Sequence, residues 1–547
     1  GFVYAEGTKF MCDGSPYYYG GTNCYYLIYK SKTEVNNVIE DASDMGIKVI
    51  RAWGHLDVGT KTGRTNSQGY RVFENNNDGS GEKDGVYFQY FDSNLKKPVV
   101  NEGADGLQRL DYAIAKAEKE NIKLLITFTN YWEAFGGMGQ YAKWAKEAGI
   151  SSNLTVDDFY TNETLKGWYK NYINTLLNHT NPYTGRKLKD EPGVFAWELA
   201  NEPRCKTDAG CKNDVIYEWA KEMSAYVKSI DPYHMVSVGD EGFYNLPYNS
   251  VKESSCSYIW YGAEGVDFEK LMTINTIDFG TPHIYVDQWG MKYTADGQDD
   301  LLWLKKHAET TKANNKPVIL EEFGIKDKSL RDSEYTQWYN VIEGNTYEGL
   351  EYAGSNYWMI ASYLDNGTLY PDYDGYTVYG PAAATETATT RKLIVNHNQV
   401  MEKKNIANSV NVTQVNFDRS NPTDIVVKAV MKTGSITGLT CNDVEMKQGT
   451  DYTISSNTIT IKKEYFSKKE LSKYTCKVLT SAGNKPTFTV NVSDSKGANP
   501  ELSTYAIAID KNTKVCTDVQ VTMKLNGSEF RSIKNGTQAL VQGNDYT

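Results

Sequence analysis

No run of about 18 consecutive apolar residues occurs in the chain, so no transmembrane helix is expected. No Cys-x-x-Cys pair is present, which argues against a zinc ribbon or a thioredoxin-type centre. No Gly-x-Gly-x-x-Gly turn follows the first strand-like run, which argues against a doubly wound dinucleotide-binding sheet. Positive charge is also short: 58 Lys and Arg face 69 Asp and Glu, giving a net charge of −11. A nucleic-acid partner needs a basic face to neutralise phosphates, so that class is excluded. Histidine is scarce, with six in the chain, and phenylalanine (17) is outnumbered by tyrosine (41). The chain opens at GFVYAEG with neither an initiator Met nor an apolar h-region, so a targeting segment is expected to be absent or already removed.

With 547 residues the chain is expected to hold more than one domain, and 40% hydrophobic with 23% charged residues fits a globular protein. Tyr and Trp pair an apolar face with a polar handle, which suits sugar stacking or wet clefts, although tyrosine on strands is the more ordinary use. Eight cysteines stand at 12, 24, 205, 211, 256, 441, 476 and 516. Cys205 and Cys211, in the polar loop RCKTDAGCK, are the best local candidates for a disulfide. Cys441 with Cys476 and Cys12 with Cys24 are further candidates, leaving Cys256 and Cys516 over, and an extracellular compartment fits this usage.

From residue 17 to 361, eight strand-like runs alternate with amphipathic helical stretches. The runs span 17–23, 48–54, 124–130, 194–203, 235–243, 277–285, 317–324 and 354–361. Alternating βα units imply a parallel sheet, and eight of them imply a closed (β/α)8 TIM barrel, with 390–405 as the closing helix. Past about residue 408 short alternating strands with Gly, Asn and Asp turns predict an immunoglobulin-like β-sandwich. Within it, 424–453 aligns without gaps to 518–547, an offset of 94 residues (518 − 424), and QGxDYT closes both copies. The second copy stops before the strands that would complete its core, so the natural polypeptide is expected to continue. The expected domains are 1–405 (barrel), 406–495 (first sandwich) and 496–547 (start of a second, truncated repeat).

Two predicted strands end in carboxylates with distinctive neighbours: WELANEP (197–203) on the fourth and LEEFG (320–324) on the seventh. Strands four and seven face one another across a barrel mouth, and two carboxyls about 5–5.5 Å apart are what retaining glycoside hydrolysis requires. Glu321 and Glu322 compete for the second position, and since strand neighbours point to opposite sides only one of them faces the cleft.

These motifs resemble glycoside hydrolase family 5. GTNCYYL, IRAWG, GVYFQYFD, NYWEAFGGMGQY, WELANEPRC, PHIYVDQWG, LEEFG and GSNYWMI are similar, in order, to its endo-β-1,4-mannanase branch over residues 1–405. The resemblance implies Glu202 as general acid/base and Glu322, before the aromatic–Gly pair, as nucleophile. It implies Asn201 on the sugar 2-hydroxyl, Arg51 holding the nucleophile ionised, Tyr285 on the nucleophile and His283 near the acid/base. Trp358 matches a sugar platform, and Trp53 and Trp132 stand in matching cleft loops, with buried packing the competing reading for these two. The acid/base role further implies a raised pKa for Glu202. No metal or organic cofactor is expected, since carboxylates do the chemistry; DYDGY (372–376) lacks a calcium-loop spacing and is read as a loop.

The β repeats resemble X2-type accessory modules, through DYTI, TITIKKEYF and the FD…DI opening. With no Trp in 406–495, a spacer role is favoured over polysaccharide binding. The expected activity is that of a secreted, monomeric, retaining endo-β-1,4-mannanase acting on β-mannans. Cell wall or a multienzyme scaffold would be reached through the modules. The alternatives are an endo-β-1,4-glucanase on the same scaffold and a non-catalytic carbohydrate-binding or spacer protein.

Overall fold

Eight parallel strands form the first unit: β1 (Tyr19–Asn23), β2 (Val49–Trp53), β3 (Lys123–Thr127), β4 (Val194–Glu198), β5 (Met235–Ser237), β6 (His283–Ile284), β7 (Ile319–Leu320, continued by Glu322–Phe323) and β8 (Gly354–Tyr357). The computed structural model describes all residues except 208–210, 212–213, 293–297, 498–499, 508–517, 527 and 547. Strand order is β5-β4-β3-β2-β1-β8-β7, and β6 pairs with the continuation of β7, His283 opposite Glu322. Backbone hydrogen bonds from Asp278 to Val236 (2.9 Å) and from His283 to Glu241 (3.0 Å) join β5 to β6 and close the ring. This is the predicted (β/α)8 barrel.

Its strands are short and buried on both sides, as parallel strands sheathed by helices are. Their polar residues gather toward the C-terminal ends, with Asn23, Thr127 and Glu198 last in their strands and Arg51 two before the end of β2; all four are within 1% of full burial. The opposite end is sealed by an N-terminal hairpin (Val3–Glu6 with Lys9–Cys12), whose Phe10 packs edge-on against Phe195 and Phe279. Ser31, Asn162 and Asp327 cap three of the surrounding helices, each side-chain oxygen accepting from an otherwise unpaired N–H. The closing helix runs Ala388–Lys403, two residues ahead of its predicted bounds.

One substructure was not expected from the sequence. Between β2 and its helix (Gln108–Lys119) lies a four-stranded sheet in the order 71–74, 57–65, 89–92, 97–100. Under it, Asp57 is fully buried, accepting from Gln89 Nε2 at 3.0 Å. Burial, reinforced by the charge of Asp78, pushes its carboxyl from 3.8 up to about 8. The folded chain therefore holds a proton there that the unfolded chain has lost. Stability tied to that proton is complete below about pH 4 and fades as pH rises toward 8. Asp57→Asn should flatten the decline in melting temperature between pH 5 and 8.5. Equal declines in both proteins would contradict this.

The second unit spans Ile406–Thr547. Four strands (order 409–410, 425–430, 458–461, 452–455) face five (414–418, 487–493, 473–480, 436–441, 444–445). Alternating residues Ile425 and Val427 turn inward onto Leu439, Val478, Val490 and Val492. The repeat is visible in the backbone. The hairpin pairing Thr440 with Glu445 recurs as Lys534 with Ala539, and the Gly449 N–H bond to Tyr452 O (2.7 Å) recurs from Gly543 to Tyr546 at the same length.

Two candidate disulfides are corrected. Cys441 and Cys476 lie directly opposite one another on antiparallel strands and are both buried, but as free thiols. Cys12 sits on the sealing hairpin, whereas Cys24 follows the far end of β1, so the barrel separates them. Cys256 is a buried free thiol, and Cys516 lies outside the described residues.

Candidate active site

The strand ends and the segments after them bring four carboxyl groups and two cations into one cluster. Arg51, in the middle of β2, is fully buried. It donates from Nε and Nη2 to Glu198 (2.9 and 2.6 Å), from Nη1 to Glu322 (2.5 Å) and from Nη2 to the Asn201 side-chain oxygen (2.7 Å). Tyr285 donates to the other Glu322 oxygen at 2.8 Å. His283 lies between the remaining acids. Its Nδ1 is 2.9 Å from Glu202 Oε1 and 3.6 Å from Glu322 Oε2, and its Nε2 is 2.8 Å from Glu321 Oε2. Glu202 and Glu322 thus offer oxygens within 4.8 Å of one another.

Glu202 hangs on the segment after β4 with a left-handed backbone, φ +49°. A non-glycine residue rarely adopts this conformation, and it costs on the order of 1 kcal/mol or more unless its surroundings impose it. The imposition is visible. The Glu202 N–H bonds Gly239 O (2.9 Å), and Trp132 Nε1 donates to Glu202 Oε2 (2.8 Å). Two residues on, Arg204 is clamped by Glu241 (Nε to Oε1, 2.7 Å), Tyr258 (2.9 Å) and Glu264 (3.1 Å), with its guanidinium over the rings of Trp132 and Phe243. The predicted Cys205–Cys211 disulfide follows at once, and Asp157 accepts from the N–H groups of Lys206 and Thr207.

The predicted aromatics divide. Trp132 is 38% exposed, whereas Trp53 is buried, with the Arg51 guanidinium 5.1 Å from its ring. Trp358 is half-buried, stacks on Tyr25 at 6.0 Å and donates to Asp374 at 2.7 Å. Asn201 donates to Asn130 at 3.0 Å while accepting from Arg51, so both ends of its amide have partners.

The proton distribution departs from expectation. Burial works against the Glu202 charge, but His283, Arg204 and Trp132 outweigh it and bring its carboxyl down to about 2, where a raised value was expected. Burial raises Glu322, with the Glu202 charge adding and His283 and Arg51 opposing. Burial disfavours a charged His283, yet the surrounding carboxylates hold it well above the ordinary histidine range. At rest the proton of this pair therefore sits on the imidazole, one hydrogen bond away from Glu202.

Among the described residues, two side-chain sets gather donor atoms at metal-ligand spacing. One is Asp157 with Cys205 and Cys211, whose sulfurs are bonded to each other; the other is Glu202, His283 and Glu322, whose atoms are already engaged by the hydrogen bonds above.

Residues 1–366 match the model of the GH family 5 beta-mannosidase-like group. The chain belongs to glycoside hydrolase family 5. Among its family 5 relatives, mannan endo-1,4-beta-mannosidase F of Aspergillus clavatus is 36% identical over 379 residues, 69% of this chain and 75% of that protein. The endo-1,4-beta-mannanase structure from Rhizomucor miehei superposes with a TM-score of 0.61 at 35% identity, covering 74% of this chain and all of that one. The endo-beta-1,4-mannanase from Thermotoga petrophila gives 0.60 at 28% identity, covering 88% and 98%. Beyond the family 5 barrel, residues 410–490 and again 502–547 match the model of Carbohydrate binding domain X2.

Glu198, Asn130, Arg204 and Glu241 were given no role from sequence. Glu198 lies within WELANEP, but a lone strand carboxylate carries no signal until a buried Arg is known to face it.

Proposed function

We propose that this chain is a retaining endo-β-1,4-mannanase, cleaving internal bonds of mannan, glucomannan or galactomannan. One observation carries the reading: the Glu202 and Glu322 oxygens approach within 4.8 Å, a gap suited to double displacement and too small for an inverting enzyme's water. In the first step Glu322 attacks the anomeric carbon, the glycosidic bond breaks, and the departing oxygen takes a proton from Glu202. Water then yields its proton to Glu202 and displaces Glu322, restoring both groups with net retention. Arg51 and Tyr285 hold the Glu322 carboxylate in line and favour its charged form as the bond to carbon breaks. Asn201 is assigned to the sugar 2-hydroxyl, Trp358 to the platform beneath the reacting sugar, and Trp53 and Trp132 to the cleft wall. Mannan as substrate rests on the relatives named above.

Incubation with linear mannan and with carboxymethylcellulose, reading reducing ends, tests the substrate. Proton NMR of the first-formed anomer tests retention. Cleavage of the glucan alone would favour an endoglucanase, and cleavage of neither a binding or spacer protein.

The domain reading is a barrel over 1–405, an X2-type sandwich over 406–495 and the beginning of a second over 496–547. The two units form separate hydrophobic cores. Truncation after Asn405 should therefore leave kcat on soluble mannan within about two-fold, with any loss confined to insoluble substrate. A soluble, folded truncation without activity would contradict this. Secretion is supported by the Cys205–Cys211 disulfide, and among the described residues no helix is long and apolar enough to cross a membrane.

A further inference from the structure

Behind the acid/base pair lies a buried carboxyl that the double-displacement scheme does not use. Glu321 is wholly inaccessible. Its Oε2 meets His283 Nε2 at 2.8 Å, on the ring edge opposite the one facing Glu202. Its other oxygen, Oε1, is buried without a hydrogen-bond partner, and the charge of neighbouring Glu198 bears on it. Two buried carboxyls that share Arg51 as neighbour cannot both be ionised without strong repulsion. Their donors decide which is neutral. Glu198 Oε1 accepts from Arg51 Nε, Arg51 Nη2 and Thr127 Oγ1 at 2.6–2.9 Å, whereas Glu321 Oε1 has Arg51 Nε no nearer than 3.6 Å. The proton belongs on Glu321, and burial with the Glu198 charge raises its carboxyl accordingly.

We propose that Glu321 is the positioning residue of the acid/base pair: as a neutral acid it accepts the Nε2–H of His283 and so reserves Nδ1 for exchanging one proton with Glu202. The exchange is balanced. The Nδ1 proton moves to Glu202 Oε1 as the leaving oxygen approaches, the imidazole becomes neutral while keeping Nε2–H, and the proton passes on to the departing sugar. When water is later deprotonated, Glu202 hands the proton back to Nδ1. The groups facing this relay are Glu202 after β4, Asp240 and Glu241 after β5, Tyr285 after β6 and Glu322 on β7 around the histidine, with Glu198, Arg51 and Tyr19 around Glu321.

The proposal rests on the acid/base reading of Glu202, and its test separates the two. Glu321→Leu leaves Nε2–H unpaired in a dry site, so the imidazolium should lose its proton sooner. The basic limb of kcat on mannan should fall by about one pH unit or more, with kcat lowered about ten-fold and KM little changed. Glu321→Gln copies the acceptor and donor of a neutral acid and should rescue the limb to within about 0.3 unit of wild type. A limb that falls as far in Glu321→Gln would show that the charge of Glu321 is needed and overturn the proposal. So would an unmoved limb in Glu321→Leu. Should the leucine variant not fold, the full wild-type chain labelled with 15N-histidine still decides: above the basic limb His283 must keep its proton on Nε2, and a proton on Nδ1 alone refutes the relay. That arm needs no turnover, so a wrong tautomer refutes the relay whether or not mannan is cleaved, while absence of mannan cleavage with the Nε2 tautomer kept refutes the acid/base reading instead.

Discussion

Glu322→Ala should lower kcat on linear mannan by on the order of 10⁴-fold or more, because no covalent intermediate forms without the attacking carboxylate. The chain should still fold, since the replacement removes a buried carboxyl that Arg51, Tyr285 and His283 only partly compensate. Azide added to this variant should enter the vacated space and attack an activated aryl β-mannoside from the opposite face, giving a product of inverted configuration. That product assigns the nucleophile, since loss of activity alone would also follow from damage to Arg51. Cleavage at a tenth of the wild-type rate, or an azide product of retained configuration, would be incompatible with the assignment to Glu322.

Glu202→Ala should behave differently. On mannan, whose leaving oxygen is a poor one, kcat should fall about 10³-fold, the upper range of general acid catalysis. On a substrate with an acidic phenol as leaving group the first step needs little protonation, so the glycosylated Glu322 should accumulate and KM should fall with kcat. Azide should then accelerate turnover and give a product of retained configuration, because it replaces the water that Glu202 would have activated. Equal losses on both substrates, with no azide effect, would exclude Glu202 as the acid/base.

Much of this arrangement could be read from the order of residues. The barrel was legible because each run is apolar until its last residues, and the polar exceptions (Asn23, Arg51, Thr127, Glu198) collect where such barrels place their chemistry. Glu202 and Glu322 stood out through their neighbours. The inserted sheet over 57–100 did not, because its short strands mix polar and apolar residues, and its two hairpins are joined by a parallel pairing of 57–65 with 89–92. Nor was the charge arrangement accessible. Glu198, Glu321, Arg204 and Glu241 are unremarkable singly, and their meaning depends on which strand ends the ring closure sets side by side. The expected rise in the Glu202 pKa failed for the same reason: the resemblance placed His283 nearby, but the spacing of NEP says nothing of the charge on an imidazole 2.9 Å away.

Glu202 sits on a left-handed backbone beside acids that the protein interior disfavours. Catalytic competence here is a local instability tolerated by a robust scaffold. Variants selected for hardiness alone would drift toward silencing the cleft, relaxing that peptide with glycine or replacing a carboxylate with an amide, and would melt later while turning over nothing. Heat resistance that preserves turnover has to be sought elsewhere, in the helical shell and the hairpin that seals the far end.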